Sequence, residues 1–316
     1  MLDFFILVFG IAGLWFGSEI LIKGAISLAD RYRLSDALFG MVVLAIGTDL
    51  PELFVAFDAS FKSLAGENLS GVVIGSAIGS AIAQFALIFG IVGFAGYPPM
   101  MRTLLPRNTF FLVGGIVAVF LFSMDGRISR LEGGLLIMFY GVYLAISILR
   151  REEHDEDSRE VAHMSTWRAW LILLCGLAIL LVSAKLTVVY VAEFARIVGL
   201  SHIAISAIVI GLGSSLPELS VSLVALLHKR GGLSVGNLIG SNTLDTLLVP
   251  GIAAIISPLL VSSSFLFIDL PVLLLSTLLV LFFLYVTRRG IRGPEAAIFL
   301  LIYFSYAFVR LSGLGS

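Results

Sequence analysis

The sequence predicts an all-α integral membrane protein. Its ten transmembrane helices form two inverted five-helix repeats, with helices two and seven broken by proline. Three observations carry that prediction. First, the 316 residues are 59% hydrophobic and only 13% charged, with a mean hydropathy of +1.07, whereas soluble domains are nearer half apolar and a quarter charged. Second, apolar runs of about 20 residues recur without the alternation of a barrel, and that is the length a helix needs to cross a bilayer. Third, Gly47-Thr48-Asp49-Leu50-Pro51-Glu52-Leu53 returns as Gly213-Ser214-Ser215-Leu216-Pro217-Glu218-Leu219, identical at five of seven positions and displaced by 166 residues.

In chain order, spans are expected near 2–29, 36–61, 69–95, 108–124, 131–149, 169–193, 202–227, 235–257, 266–287 and 293–313. The first residues, Met1 to Phe5, lack the basic region of a signal peptide and read as the start of span one. That span carries Gly10, Gly13 and Gly17, and a Glu19–Lys23 pair one helical turn apart. Spans two and seven hold the duplicated motif. Its proline lacks an N–H and clashes with the carbonyl four residues back, which frees backbone oxygens. Such a break survives in lipid only where it is buried in protein or lines a watery cavity.

Span three opens with Gly71-Val72-Val73-Ile74-Gly75-Ser76, and span eight answers with Gly236-Asn237-Leu238-Ile239-Gly240-Ser241. Gly71, Gly75 and Gly79, four apart, are expected to let helices pack closely. The stretch 150–168 is the one clearly solvated segment and reads as a plain cytoplasmic linker between a first repeat at 1–149 and a second at 169–316. Loops after odd-numbered spans hold thirteen Lys and Arg against five on the other side. That bias puts those loops in the cytoplasm and both termini outside, in the cell membrane. Five spans per half is an odd number, so the second copy enters the membrane upside down. Inverted repeats with broken helices near the midplane are a transporter arrangement.

Other classes are disfavoured. A net charge of −1 gives no footprint for nucleic acid, and Cys175, alone, can form no intrachain disulfide. His154, His163, His202 and His228 show no metal-ligand spacing. No enzymatic activity, resident cofactor or obligate protein partner is expected; the partners are membrane lipid and small cations.

The polar residues inside the spans carry the function. A carboxylate at membrane depth is expensive and marks a site. Thr48 and Glu52 share a helix face, as do Ser214 and Glu218, Ser76 and Ser80, and Ser241 and Asp245. Glu52, Glu218, Asp245 and Asp49, ringed by hydroxyls, describe an oxygen cage for a hard cation. Two bidentate glutamates and two carbonyls bring the count into the range of 6–8 oxygens that Ca²⁺ prefers. Asp49 stands about one turn before Glu52 and is expected to carry a proton or a monovalent ion, the alternative being that it caps a freed N–H. A channel would build its carboxylate ring from identical subunits, and a sensor would need a sizeable soluble domain.

The paired Gly-[Thr/Ser]-x-Leu-Pro-Glu-Leu motifs, each followed by a Gly-x-x-Ile-Gly-Ser helix, resemble the two α-repeats of the sodium/calcium exchangers within the calcium/cation antiporter superfamily. The resemblance covers essentially the whole length. It implies Ca²⁺ exchanged for Na⁺ by alternating access, with proton coupling as the alternative. It makes Glu52 and Glu218 the calcium ligands, assisted by the carbonyls of Thr48 and Ser214. Thr48, Ser76, Ser214, Ser215 and Ser241 would serve sodium with the carbonyls of Ala45 and Gly211, and Asp245 matches an acidic family position. By the same analogy spans one and six are the sliding element. The chain departs from the pattern at Asp49, where a hydroxyl is usual, at Ser80, where an amide is common, and at Val72 and Ala77, whose second-copy counterparts are Asn237 and Asn242.

Overall fold

The computed structural model describes residues 2–96, 105–149, 164–197, 213, 215–285 and 290–312. In chain order the helices are α1 (Leu2–Arg31), α2 (Asp36–Thr48), α3 (Leu50–Leu64), α4 (Ser70–Gly93), α5 (Leu105–Phe122) and α6 (Arg130–Leu149). There follow α7 (Thr166–Ile197), α8 (Leu216–Leu227), α9 (Gly231–Ile256), α10 (Phe265–Leu284) and α11 (Gly293–Leu311). Seven of the described helices are long and apolar enough to cross a membrane, or eight if the interrupted pair 36–64 is one span; α8 and residues Thr109–Phe122 of α5 are shorter. Their outer faces carry large exposed apolar side chains, among them Phe9, Phe54, Leu131, Trp167 and Phe267. Exposed apolar surface on that scale marks contact with lipid or protein.

The chain forms two compact units, Met1–Thr48 with Ile146–Gly240, and Asp49–Ala145 with Ser241–Ser316. Each therefore draws segments from both halves of the sequence.

In the first unit α1 lies along α7. Glycine makes that approach possible: a Cβ on Gly17 would stand 2.8 Å from the Leu180 backbone N, and one on Gly176 would collide with the backbone of Leu21. Leu21, Ile22, Leu28, Phe39, Leu173, Leu180, Val221 and Val224 fill the core around this contact. Arg230, just past α8, holds Asp30 Oδ2 and Asp36 Oδ1, each at 3.0 Å, and so ties the α1–α2 connection to the turn after α8. The Glu19–Lys23 pair forms at 3.7 Å, but His228 Nε2 lies closer to the same carboxylate, at 2.8 Å.

In the second unit α3 packs on residues Val249–Ile256 of α9 and on the start of α4, and α11 packs on Phe89–Gly93. In its core Phe85 meets Phe89 edge to face, and Phe299 lies tilted against Phe89. A two-residue antiparallel ladder, Arg127–Ile128 with Leu259–Leu260, joins the turns before α6 and after α9. Tyr306 donates to Asp269 Oδ1 at 3.1 Å, with Arg310 Nε 3.4 Å from the same oxygen.

Candidate functional site

Both copies of the Leu-Pro-Glu motif start a helix. In the first copy α2 ends at Thr48 and α3 begins at Leu50, with Pro51 in its first turn, where an absent N–H breaks no helical hydrogen bond. In the second, α8 begins at Leu216 with Pro217 in the same place. The residue before each start has nearly the same backbone: Asp49 at φ −86°, ψ 6° and Ser215 at φ −95°, ψ 3°. Its carbonyl accepts from Leu53 at 3.1 Å in one copy and from Leu219 at 3.0 Å in the other. The Asp49 side chain makes no capping hydrogen bond to α3.

The glutamates are thus set by local geometry. One position past the proline, in the first turn, Glu52 is 1% exposed and Glu218 is fully buried. Thr48, Asp49, Ser80, Ser215, Ser241, Asp245 and Ala45 are buried as well, and Ser76 is half-buried. Ser214 and Gly211 lie outside the described residues. So do the counterparts of α2, in 201–212, and among the described residues nothing stands within 4 Å of a Cβ on Gly71, Gly75 or Gly79. In the second copy the equivalent glycines do pack closely. Gly236 faces the backbone of Ala37, and a Cβ on Gly240 would stand 2.7 Å from Ala45 Cβ.

Hydrogen bonds then organise the oxygens within each unit. In the first, Thr48 Oγ1 reaches the carbonyls of Leu44 (3.2 Å) and Ala45 (3.4 Å), and Asn237 Oδ1 at 3.5 Å. A hydroxyl whose proton is engaged this way keeps its lone pairs for a cation. In the second unit both α4 and α9 contain a π-helical stretch, Ala83–Ile88 and Leu244–Leu248, a feature frequent at functional sites. Gln84 Nε2 donates to Asp245 Oδ2 at 3.0 Å and to Ser80 Oγ at 3.4 Å. Asn242 Nδ2 donates to the Ala81 carbonyl at 2.7 Å.

Ser80 on α4 and Asp245 on α9 are therefore linked, and the link is Gln84. The residue was absent from the sequence-derived set. Its one signal is that it is an amide four residues after Ser80, on the same face of an apolar span. Among the described residues no group of three or more His, Cys, Asp and Glu gathers as a metal site. A cation held here needs hydroxyl, amide and backbone oxygens beside its carboxylates, the donor set suited to a hard ion.

Known proteins match this chain over nearly its full length. The family model described as "Sodium/calcium exchanger protein" matches residues 2–149 and 168–312. The sodium/calcium exchanger MaX1 of Methanosarcina acetivorans is 26% identical, covering 97% of this chain and 98% of its own. The protein named antiporter CaxA of Alkalimonas amylolytica is 28% identical, with 98% of each chain covered. Among solved structures, the sodium-calcium exchanger NCX_Mj soaked with 2.5 mM Na⁺ and 1 mM Sr²⁺ superposes with a TM-score of 0.82 at 26% identity, covering 96% of this chain and 97% of that one.

Proposed function

The chain belongs to the sodium/calcium exchanger family, and on that premise we propose the roles of its individual residues. The protein is a secondary antiporter that exchanges Ca²⁺ for Na⁺. One observation carries the reading: a motif that buries a glutamate at the start of a helix occurs twice, inside apolar helices of a family member. Glu52 and Glu218, one per copy, are the calcium ligands, with the carbonyls of Thr48 and Ser214. Thr48, Ser76, Ser214, Ser215 and Ser241, with the carbonyls of Ala45 and Gly211, serve sodium. Asp245 and Asp49 add charge. A buried carboxylate left without a cation is costly. Departure of one ion load therefore awaits arrival of the other, the condition for exchange in place of leak.

The same reading assigns ten spans in two inverted repeats, 1–149 and 169–316, joined by the cytoplasmic linker 150–168, with both termini outside the cell membrane. It rests on the odd number of spans per half and on the distribution of basic loop residues. Proton coupling, suggested by Asp49 alone, is not favoured by relatives named for sodium. The channel and sensor readings gain no support from relatives named exchanger and antiporter.

The test is ⁴⁵Ca²⁺ uptake into proteoliposomes under an imposed Na⁺ gradient and then under an imposed H⁺ gradient. Saturable uptake driven by Na⁺ alone is the expected result. Uptake driven only by H⁺ would overturn the coupling, and uptake needing no counter-ion would overturn antiport.

A further inference from the structure

Where the second copy of the repeat has Asn237, Asn242 and Asp245, the first has the apolar Val72 and Ala77 and the uncharged Ser80. Gln84, one turn after Ser80, lies in the π-helical stretch Ala83–Ile88 and is fully buried. Its amide nitrogen contacts two oxygens, Asp245 Oδ2 at 3.0 Å and Ser80 Oγ at 3.4 Å. An ionised carboxylate accepts and does not donate, so pairing with Asp245 as a carboxylate assigns that end of the amide as nitrogen. Among the described residues the other end, Oε1, has no hydrogen-bond partner, although the side chain is fully buried. Buried amide oxygens are ordinarily paired. An apolar residue of similar size would fill this position without leaving an acceptor unmet, so an amide here calls for a donor or a cation.

We propose that Gln84 is a ligand and positioning residue for the transported sodium, with Nε2 anchoring Asp245 and Oε1 binding the ion. The cluster of Gln84, Ser80 and Asp245 carries one formal negative charge and otherwise neutral oxygens, which suits a monovalent ion better than Ca²⁺. Affinity and ion choice at hard-cation sites follow the count of charged ligands. The assignment deepens the exchanger reading and rests on it.

Gln84→Leu and Gln84→Met remove both the donor and the oxygen at similar volume. The intact chain is purified in detergent, and its thermal unfolding is followed against Na⁺ (choline replacing sodium) and, separately, against Ca²⁺. Na⁺-driven ⁴⁵Ca²⁺ exchange is measured in parallel. Either variant that folds should need about ten-fold more Na⁺ for half-maximal stabilisation, the scale of one contact to a charged group, while its Ca²⁺ midpoint moves less than about three-fold. An unchanged Na⁺ midpoint, or equal shifts for both ions, would overturn the assignment and leave Gln84 a packing residue. If Leu destabilises the chain beyond recovery, the Met variant decides. Wild-type protein that exchanges normally beside unaltered variants refutes the Gln84 assignment alone, whereas wild-type protein without Na⁺-driven exchange refutes the antiport reading and this assignment with it.

Discussion

The two copies of the repeat agree in backbone and differ in chemistry. Asp49 and Ser215 adopt nearly the same dihedral angles, each before a Leu-Pro-Glu helix start, and each glutamate that follows is buried. Both α4 and α9 then read Gly-x-x-Ile-Gly-Ser and both contain a π-helical stretch. Beyond that the copies divide. α9 presents Asn237, Asn242 and Asp245, whereas α4 answers with the Ala81 carbonyl, which accepts from Asn242, and with Gln84, which donates to Asp245. The two copies share the features that local geometry dictates, the Leu-Pro-Glu helix start and the buried carboxylate. The polar side chains of α4 and α9 differ, and within the second unit each helix supplies a partner for the other: Gln84 for Asp245, and the Ala81 carbonyl for Asn242.

That comparison breaks most sharply at the glutamates. Glu52→Gln and Glu218→Gln should each reduce Ca²⁺ exchange below detection while the protein still elutes as a single folded species. If one variant exchanged normally, the two copies would not be equivalent at the position where they look most alike. The next largest difference is expected at the divergent pair. Asp245→Asn should lower Na⁺-driven exchange by about ten- to hundred-fold, the range for losing a contact to a charged group. Ser80→Ala, at the matching place in the first copy, should stay within about three-fold. Equal losses would mean that the first copy's hydroxyl bears as much as the second copy's charge.

The glycines sharpen the comparison further. Gly240→Ala should lower stability by about 1–3 kcal/mol, the usual range for overpacking, because its Cβ would meet Ala45 Cβ at 2.7 Å. Gly75→Ala, where no described residue stands within 4 Å of the added Cβ, should cost less in the same thermal unfolding assay. The smallest effect is expected at Asp49. Since its backbone matches that of Ser215, Asp49→Ser should fold normally and keep Ca²⁺ exchange, altering only how the rate depends on Na⁺ concentration. Loss of Ca²⁺ exchange in that variant would make Asp49 a calcium ligand.

The sequence by itself determined what depends on near neighbours. Helices follow from apolar length, and the starts at Leu50 and Leu216 follow from proline, which is tolerated only in a first turn. Burial of Glu52 and Glu218 follows from the apolar residues around them, and the family follows from the doubled motif. Only the tertiary structure decided what depends on the register between helices. Gln84 meets Asp245 across 161 residues of chain, Thr48 meets Asn237 across 189, and Glu19 is shared between Lys23 and His228, the latter 209 residues away. Spacing along one helix shows which side chains share its face. It does not show the depth or rotation at which a second helix docks, because those come from packing: glycines such as Gly17, Gly176 and Gly240 admit a neighbouring backbone, and the π-helical stretches shift every side chain beyond them.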